Sequence, residues 1–347
     1  MSTEALLRVR SFISGSGMNV PDRVVPNTHF ASYLETSDEW IRERTGIKER
    51  RWTDDPSLTA SELALPAAEQ ALKKAGLTAS DIDGIVFATV TPDAVFPSCA
   101  CLLQQKLGIG PCLAFDLNAV CSGFVYALTV ADSFIHRGIC KNVLVVGSEL
   151  YSKIVNPNDR STCVLFGDGA GAVVLSAHAQ TLETTSKNSK TTRGIYLSEL
   201  HADGNYKTIL SCAPDGGTAK DAVQVTPPAD DRNYILMAGK EVFKLAVRGI
   251  AEVSSNVLRR TGFTVSDVDL FVVHQANQRI IQSVAKQLDI PDQKIPMNVE
   301  RYGNTSAASI PLLLAELEAE GRLKPGMLVL LSAFGGGVTW GATLLRW

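Results

Sequence analysis

Three residues of types that can do acyl chemistry stand in matching settings, each at the end of a strand-like segment and before a helix-like run. Cys121 follows CLAFDLNAV, His274 follows DLFVV and Asn304 follows KIPMNVERYG. Loops at the carboxyl ends of strands in α/β sheets are where ligands and chemistry collect. Cysteine with histidine and asparagine is a known nucleophilic set. Cys121 precedes SGFVYALTVADSFIHRG, so a helix amino terminus at the thiol is expected, and its positive end favours the thiolate. Singly, each has a plainer explanation: a buried structural thiol, a core imidazole bonded to backbone, or a turn and helix-cap asparagine. Together, in equivalent positions, the three favour catalysis. His29, His136, His178 and His201 fall in loops or on polar faces and attract no role.

A fold must bring these distant residues together, and a duplication does so. DIDGIVFATVTPD from Asp81 and DVDLFVVHQANQR from Asp267 follow amphipathic helical runs ending at Gly76 and Gly262, through a shared T-x-S-D-x-D junction. FPSCACLLQQKLGI then parallels NQRIIQSVAKQLDI, and CLAFDLNAVCSGFVYAL parallels KIPMNVERYGNTSAASIPLLL, each of the latter pair read as strand, turn and long helix. KNVLVVGSE parallels GMLVLLSAF, and FGDGAGAVVLS parallels FGGGVTWGATLLRW. Two similar βαβαβ-type layers result, with Asn304 placed nearly where Cys121 lies in the first half. The expected organisation is residues 1–175 as one half, with a charged insertion at about 20–59, then 176–233 as a connecting segment and 234–347 as the second half.

A chain of 347 residues is long enough for such a doubled core. The formal net charge of -3 and pI near 6.0 provide no basic field for nucleic acid. Seven cysteines without zinc-site spacing predict no metal and a reducing, cytoplasmic compartment. The start of the chain reads as a strand and turn rather than an export signal, and no continuous apolar run is long enough for a membrane span. The glycine runs FGDGAGA and FGGGV lack the helix and acidic partner of a dinucleotide fingerprint. They read as tight returns that let backbone approach a reactive centre, with an N–H near Gly336 suited to an oxyanion hole.

DEWIRERTGIKER, VFPSCAC, AFDLNAVCSGF, DRSTCVLFGDGAGA, MAGKEVF, HQANQRI and GNTSAAS, in this order, resemble β-ketoacyl-acyl carrier protein synthase III along nearly the whole chain. The resemblance implies the thiolase fold, a doubled α-β-α-β-α layered structure, and a homodimer. It implies an acyltransferase that joins a short acyl-CoA to malonyl-acyl carrier protein by decarboxylative Claisen condensation, initiating fatty acid synthesis without metal or redox cofactor. Cys121 would hold the acyl group as a thioester. His274 as N–H donor and Asn304 would stabilise the enolate, and the backbone N–H groups of Cys121 and Gly336 would form the oxyanion hole. Trp40 and Arg160 would flank the CoA adenine, Arg44 would meet CoA at the entrance, and Asn277 would line the pantetheine channel. Lys244, Arg279 and Lys286 would dock the acidic carrier protein, and Phe96 would reach the partner's acyl pocket.

The chain departs from the common pattern at Val120 and Ser122 beside the nucleophile, at Ser161 and Gln287, and in a longer segment near 180–192. Related readings are a synthase of polyketide or quinolone-type metabolism, a Cys-His-Asn thioesterase or transacylase, and an inactive scaffold. A thiolase would need a second cysteine in the Ala333–Gly337 run, and no cysteine follows Cys212. Elongating synthases use two histidines, whereas the second position here is Asn304.

Overall fold

The repeated T-x-S-D-x-D junction builds one joint twice. Thr78 and Asp81 form a reciprocal capping box on the short turn Ala79–Asp81, as Thr264 and Asp267 do on Val265–Asp267. The next acid ties each joint to a neighbouring strand: Asp83 Oδ2 accepts from the Lys141 and Asn142 N–H groups at 2.7 and 3.0 Å. Asp269 Oδ2 accepts from the Leu328 N–H at 2.7 Å. The preceding helices stop at Gly76 and Gly262, with φ of 67° and 70°, a left-handed stop that glycine adopts without penalty.

The computed structural model describes residues 11–178, 189–212 and 234–347. Its strands are β1 (Ser11–Asn19), β2 (Val24–Pro26), β3 (Glu49–Arg51), β4 (Gly84–Ala88), β5 (Leu113–Leu117), β6 (Asn142–Leu150) and β7 (Asp168–Ala177). They continue as β8 (Gly194–Ala202), β9 (Leu210–Cys212), β10 (Ile235–Met237), β11 (Leu270–Val273), β12 (Leu328–Gly335) and β13 (Thr339–Arg346). The helices are α1 (Asn27–Ala31), α2 (Asp38–Thr45), α3 (Ala60–Ala75), α4 (Cys99–Leu107) and α5 (Gly123–His136). After them come α6 (Gly239–Thr261), α7 (Gln278–Gln287), α8 (Val299–Tyr302) and α9 (Ser309–Ala319).

One sheet runs β1-β7-β6-β4-β5 and the other β11-β12-β13-β8. The pairs β4–β6 and β11–β12 are parallel, and the return strands β7 and β13 are antiparallel to β6 and β12. Side-chain alternation then assigns the layers. Val86 and Ala88 of β4 pack with Phe124 and Leu128 of α5, Leu313 and Leu314 of α9, and Val272 of β11, in one core. Ile85 and Phe87 face the opposite way, onto α3 and α4. Phe271 and Val273 of β11 likewise turn onto α6 and α7. The order is therefore α3/α4, sheet, α5/α9, sheet, α6/α7: the thiolase-type α-β-α-β-α arrangement. Full burial of each such Leu, Val or Phe contributes roughly 1.5–3 kcal/mol, so the apolar alternation is the main force aligning the layers.

Three expectations need correction. KIPMN forms no strand; Pro296 lacks the ladder N–H, and the Asn298 and Val299 N–H groups go to Gln275 Oε1 instead. The second sheet consequently has no counterpart of β5. Part of the span 176–233 is sheet rather than connection: β8 pairs with β13, and β9 pairs with β10. Its remainder, 179–188 and 213–233, lies outside the described residues, as does most of the longer segment near 180–192. Finally, Asn304 is not the positional twin of Cys121. The turn Val120–Ser122 before α5 matches the turn Ser306–Ala308 before α9, and Val120 and Ser306 share a φ of 49°. Cys121 therefore matches Ala307, and Asn304 matches Asn118.

The insertion at 20–59 supplies β2, β3, α1 and α2. Its anchor is Arg50, fully buried, whose guanidinium donates to Val25 O, Asn27 Oδ1 and Val164 O at 3.0, 2.9 and 2.5 Å. Burial lowers its pKa to about 10, so it stays charged near neutrality. The insertion is thereby held against the 159–166 loop.

Candidate active site

Cys121, His274 and Asn304 line one cavity of about 530 Å³ that also reaches Trp40, Arg44 and Arg160. The first three are buried and the two arginines are exposed, so the cavity runs from surface to core.

Val120, β-branched at φ 49°, puts Cys121 on a strained turn at the start of α5. The residue is 5 % exposed. Burial pushes the thiol up to about 12, outweighing the lowering by the Ser306 and Tyr151 hydroxyls; the Glu149 carboxyl raises it further. The helix terminus alone therefore does not produce a resting thiolate, contrary to expectation. Desolvation wins at this depth.

His274 extends β11, its N–H donating to Ser332 O at 2.8 Å. Its Nδ1 lies 2.6 Å from Ser309 Oγ, and Ser309 Oγ accepts from the Gln275 N–H at 3.4 Å. With the Ser309 hydroxyl donating to Nδ1, the ring's one proton is on Nε2. Nε2 is buried and has no partner among the described residues. Burial lowers the imidazole pKa to about 3, so the ring is a neutral donor rather than a base at neutral pH.

Asn304 is held at both backbone groups, its N–H on Leu165 O at 2.8 Å and its carbonyl accepting from Gly167 N–H at 3.0 Å. Its Oδ1 accepts from Ser306 N–H at 2.9 Å, which turns the NH2 end away from that turn. The loop is braced by Gln275 and by Glu316, which accepts from Asn298 Nδ2 and Tyr302 O–H at 2.9 Å each. Gly335 lies against the nucleophile: a Cβ there would sit 2.7 Å from Cys121 N. The second glycine run is thus a close backbone approach, with Gly336 the next residue.

At the surface end Arg44 lies 4.5 Å and Arg160 5.2 Å from the Trp40 ring centre. These cation–π contacts leave no space for a flat base between Trp40 and Arg160 in the arrangement seen. Asn277 Oδ1 caps α7 through Arg279 N–H at 2.8 Å, and its Nδ2 donates to Arg44 O at 3.2 Å. Arg279 and Lys244 are exposed; Arg279 lies 5.9 Å from the ring of Phe243, the residue beside Lys244. Lys286 is exposed two turns farther along α7. Phe96 is 83 % exposed on the loop after β4, beside Val95 at 95 %, and does not line its own chain's cavity.

Glu149, Tyr151, Ser306 and Ser309 were not singled out from sequence. Glu149, a charged residue closing the apolar run KNVLVVGSE, was the available signal.

Residues 115–194 match the family model "3-Oxoacyl-[acyl-carrier-protein (ACP)] synthase III", and residues 258–347 match its C-terminal counterpart. A β-ketoacyl-[acyl-carrier-protein] synthase III of Brucella anthropi is 49% identical over 339 residues, covering 98% of this chain and 100% of the relative. The chain belongs to the β-ketoacyl-acyl carrier protein synthase III family.

Solved structures agree with this membership. The Aquifex aeolicus synthase III superposes with a TM-score of 0.86 at 44% identity, covering 97% of this chain and 100% of that one. A priming β-ketosynthase of the R1128 polyketide pathway gives 0.87 at 32% identity, covering 98% and 96%. The Brucella anthropi and Aquifex aeolicus synthases III have higher identity than the polyketide-pathway synthase, and this chain is a condensing acyltransferase of that family, initiating fatty acid synthesis. Among the described residues no group of His, Cys, Asp and Glu could hold a metal ion, and no helix is long and apolar enough to cross a membrane.

Proposed function

We infer that the cavity runs both half-reactions of a decarboxylative condensation between an acyl-CoA and malonyl-acyl carrier protein. The observation that carries this reading is the convergence of Cys121, a neutral His274 with an unpartnered Nε2, and Asn304 in one cavity. In the first half-reaction Cys121 Sγ attacks the thioester carbonyl, and CoA leaves. The Cys121 and Gly336 N–H groups receive the oxyanion. In the second, His274 Nε2–H and the Asn304 NH2 hold the thioester oxygen of the malonyl group as CO2 departs. Two neutral donors suit a developing enolate, because a charged imidazolium at this depth would itself be costly. The carbanion then attacks the acyl-Cys121 carbonyl. No step requires a metal or redox cofactor.

Trp40, Arg44, Arg160 and Asn277 are the CoA-binding residues in this reading, and adenine binding moves Arg160 off the indole. Lys244, Arg279 and Lys286 meet the carrier protein, and exposed Phe96 inserts into the acyl pocket of a second copy, making a homodimer. Cys99, Cys101, Cys112, Cys121, Cys140 and Cys163 are free thiols, which supports a reducing, cytoplasmic setting.

Intact-protein mass spectrometry after mixing with a panel of acyl-CoAs, then with malonyl-acyl carrier protein, tests the reading. An adduct that needs Cys121 and disappears as ketoacyl-carrier protein forms is expected. A stable or hydrolysed adduct without condensation product overturns it.

A further inference from the structure

Two hydroxyl groups cross between the nucleophile turn and the second glycine run, in opposite directions. Ser122, buried just before α5, donates through Oγ to Thr339 O at 2.9 Å. Thr339, the first residue of β13, donates through Oγ1 to Ala119 O at 2.8 Å, with Gly336 O also in reach at 3.3 Å. Ala119 and Ser122 bracket Cys121 in its turn, and Gly335 and Thr339 pair across the hairpin that holds Gly336. The two backbone pieces meet closely: a Cβ at Gly335 would sit 2.7 Å from Cys121 N and 3.0 Å from Ser122 N. The other side of the hairpin is fixed as well. Val338 N–H donates to Asp203 O at 3.0 Å, and Asp203 N–H donates to Val338 O at 2.9 Å.

The turn itself forms without these hydroxyls. Its backbone bond, Ser122 N–H to Ala119 O at 3.0 Å, recurs in the other half as Ala308 N–H to Thr305 O at 3.0 Å. Val120 and Ser306 share a φ of 49°. Yet Ala308 stands where Ser122 would be, and it has no hydroxyl to give. The Ser122 hydroxyl is thus an addition to the turn that carries the nucleophile, rather than a requirement of its fold.

We propose that Ser122 and Thr339 are positioning residues, a two-way latch that sets the Cys121 and Gly336 N–H groups at the spacing an acyl oxyanion needs. This rests on the oxyanion-hole reading above and deepens it. One N–H belongs to the turn and the other to the hairpin, so neither piece sets their separation alone. Donors must lie within about 2.7–3.1 Å of the developing oxyanion to stabilise it. A misplacement of about 1 Å can cost ~10²-fold in rate. The enolate donors are held by other partners, His274 by Ser332 and Ser309, and Asn304 by Leu165 and Gly167. They stay in place when the latch opens.

The test is single-turnover loading of Cys121 by acetyl-, isobutyryl- and octanoyl-CoA over a range of concentrations, read by intact mass. CO2 release from malonyl-acyl carrier protein, without acyl-CoA, is followed beside it. Thr339→Val keeps the side-chain shape without the hydroxyl, and should lower the loading rate at saturation by ~10–10²-fold. Ser122→Ala should act in the same direction, and stands in if Thr339→Val does not fold. The half-saturating acyl-CoA concentration and the rate of CO2 release should stay near wild type. Thr339→Ser returns the hydroxyl and should restore most of the loading rate. A change confined to the half-saturating concentration, equal slowing of CO2 release, or no rescue by Thr339→Ser overturns the latch. Gly335→Ala, whose Cβ forces turn and hairpin apart, is the control for the hole itself. If it slows loading and the two latch variants do not, the latch alone falls. If none of the three slows loading, the oxyanion-hole reading falls with it.

Discussion

The two halves use one joint, one turn and one strand ending, yet carry different chemistry on them. Asn118 Oδ1 accepts from Val120 N–H at 3.3 Å, as Asn304 Oδ1 accepts from Ser306 N–H at 2.9 Å. Three residues after each asparagine come Cys121 and Ala307. At the ends of the matching strands β4 and β11 stand Ala88 and His274. Counting from the residues tied by Asp83 and Asp269, Glu149 of β6 matches Gly335 of β12. Their strands each lie against the other half's turn: a Cβ at Gly147 of β6 would meet Ala307 O, and one at Gly335 of β12 would meet Cys121 N. A duplicated scaffold thus supplies two strained turns side by side, and divergence divides nucleophile and donors between the halves.

Making the halves alike should break the chemistry most severely. Cys121→Ala turns the first turn into a copy of the second, and no acyl adduct should form with any primer in the mass spectrum. His274→Ala, which copies Ala88, should reduce malonyl decarboxylation by ~10²–10³-fold, as should Asn304→Ala. Both should still load an acyl group on Cys121; equal loss of both half-reactions in a folded variant would sink that division. A Cβ at Gly335 would meet Cys121 N at 2.7 Å, and one at Gly147 would meet Ala307 O at 2.4 Å. Alanine at either should lower stability by about 1–3 kcal/mol, measured by urea unfolding. Gly335→Ala alone should also slow loading. The smallest effect concerns the joints: Asp83→Ala removes acceptance from two N–H groups and Asp269→Ala from one. At about 0.5–1.5 kcal/mol per bond, the first should lower the urea midpoint more. Equal shifts would mean that the joints contribute through something other than these bonds.

The corrections share a cause. The repeat predicts a strand at KIPMN, but Pro296 and the acceptor Gln275 Oε1 redirect its backbone. Gln275 is adjacent to His274 in sequence, yet the N–H groups that its Oε1 accepts are more than twenty residues away. β8 was hidden in a poorly matching span because strand pairing with β13 is long-range. Burial, likewise, reversed the expected thiolate.

The sequence by itself determined the duplication, the reactive types at Cys121, His274 and Asn304, and the helix stops at Gly76 and Gly262. These depend on local spacing, backbone freedom and side-chain type. Tertiary structure alone decided which residues share a cavity, the burial that keeps His274 neutral, the raised thiol and the approach of Gly335 to Cys121. Those depend on desolvation and on packing between residues distant in sequence, which become neighbours only when the two sheets close over α5 and α9.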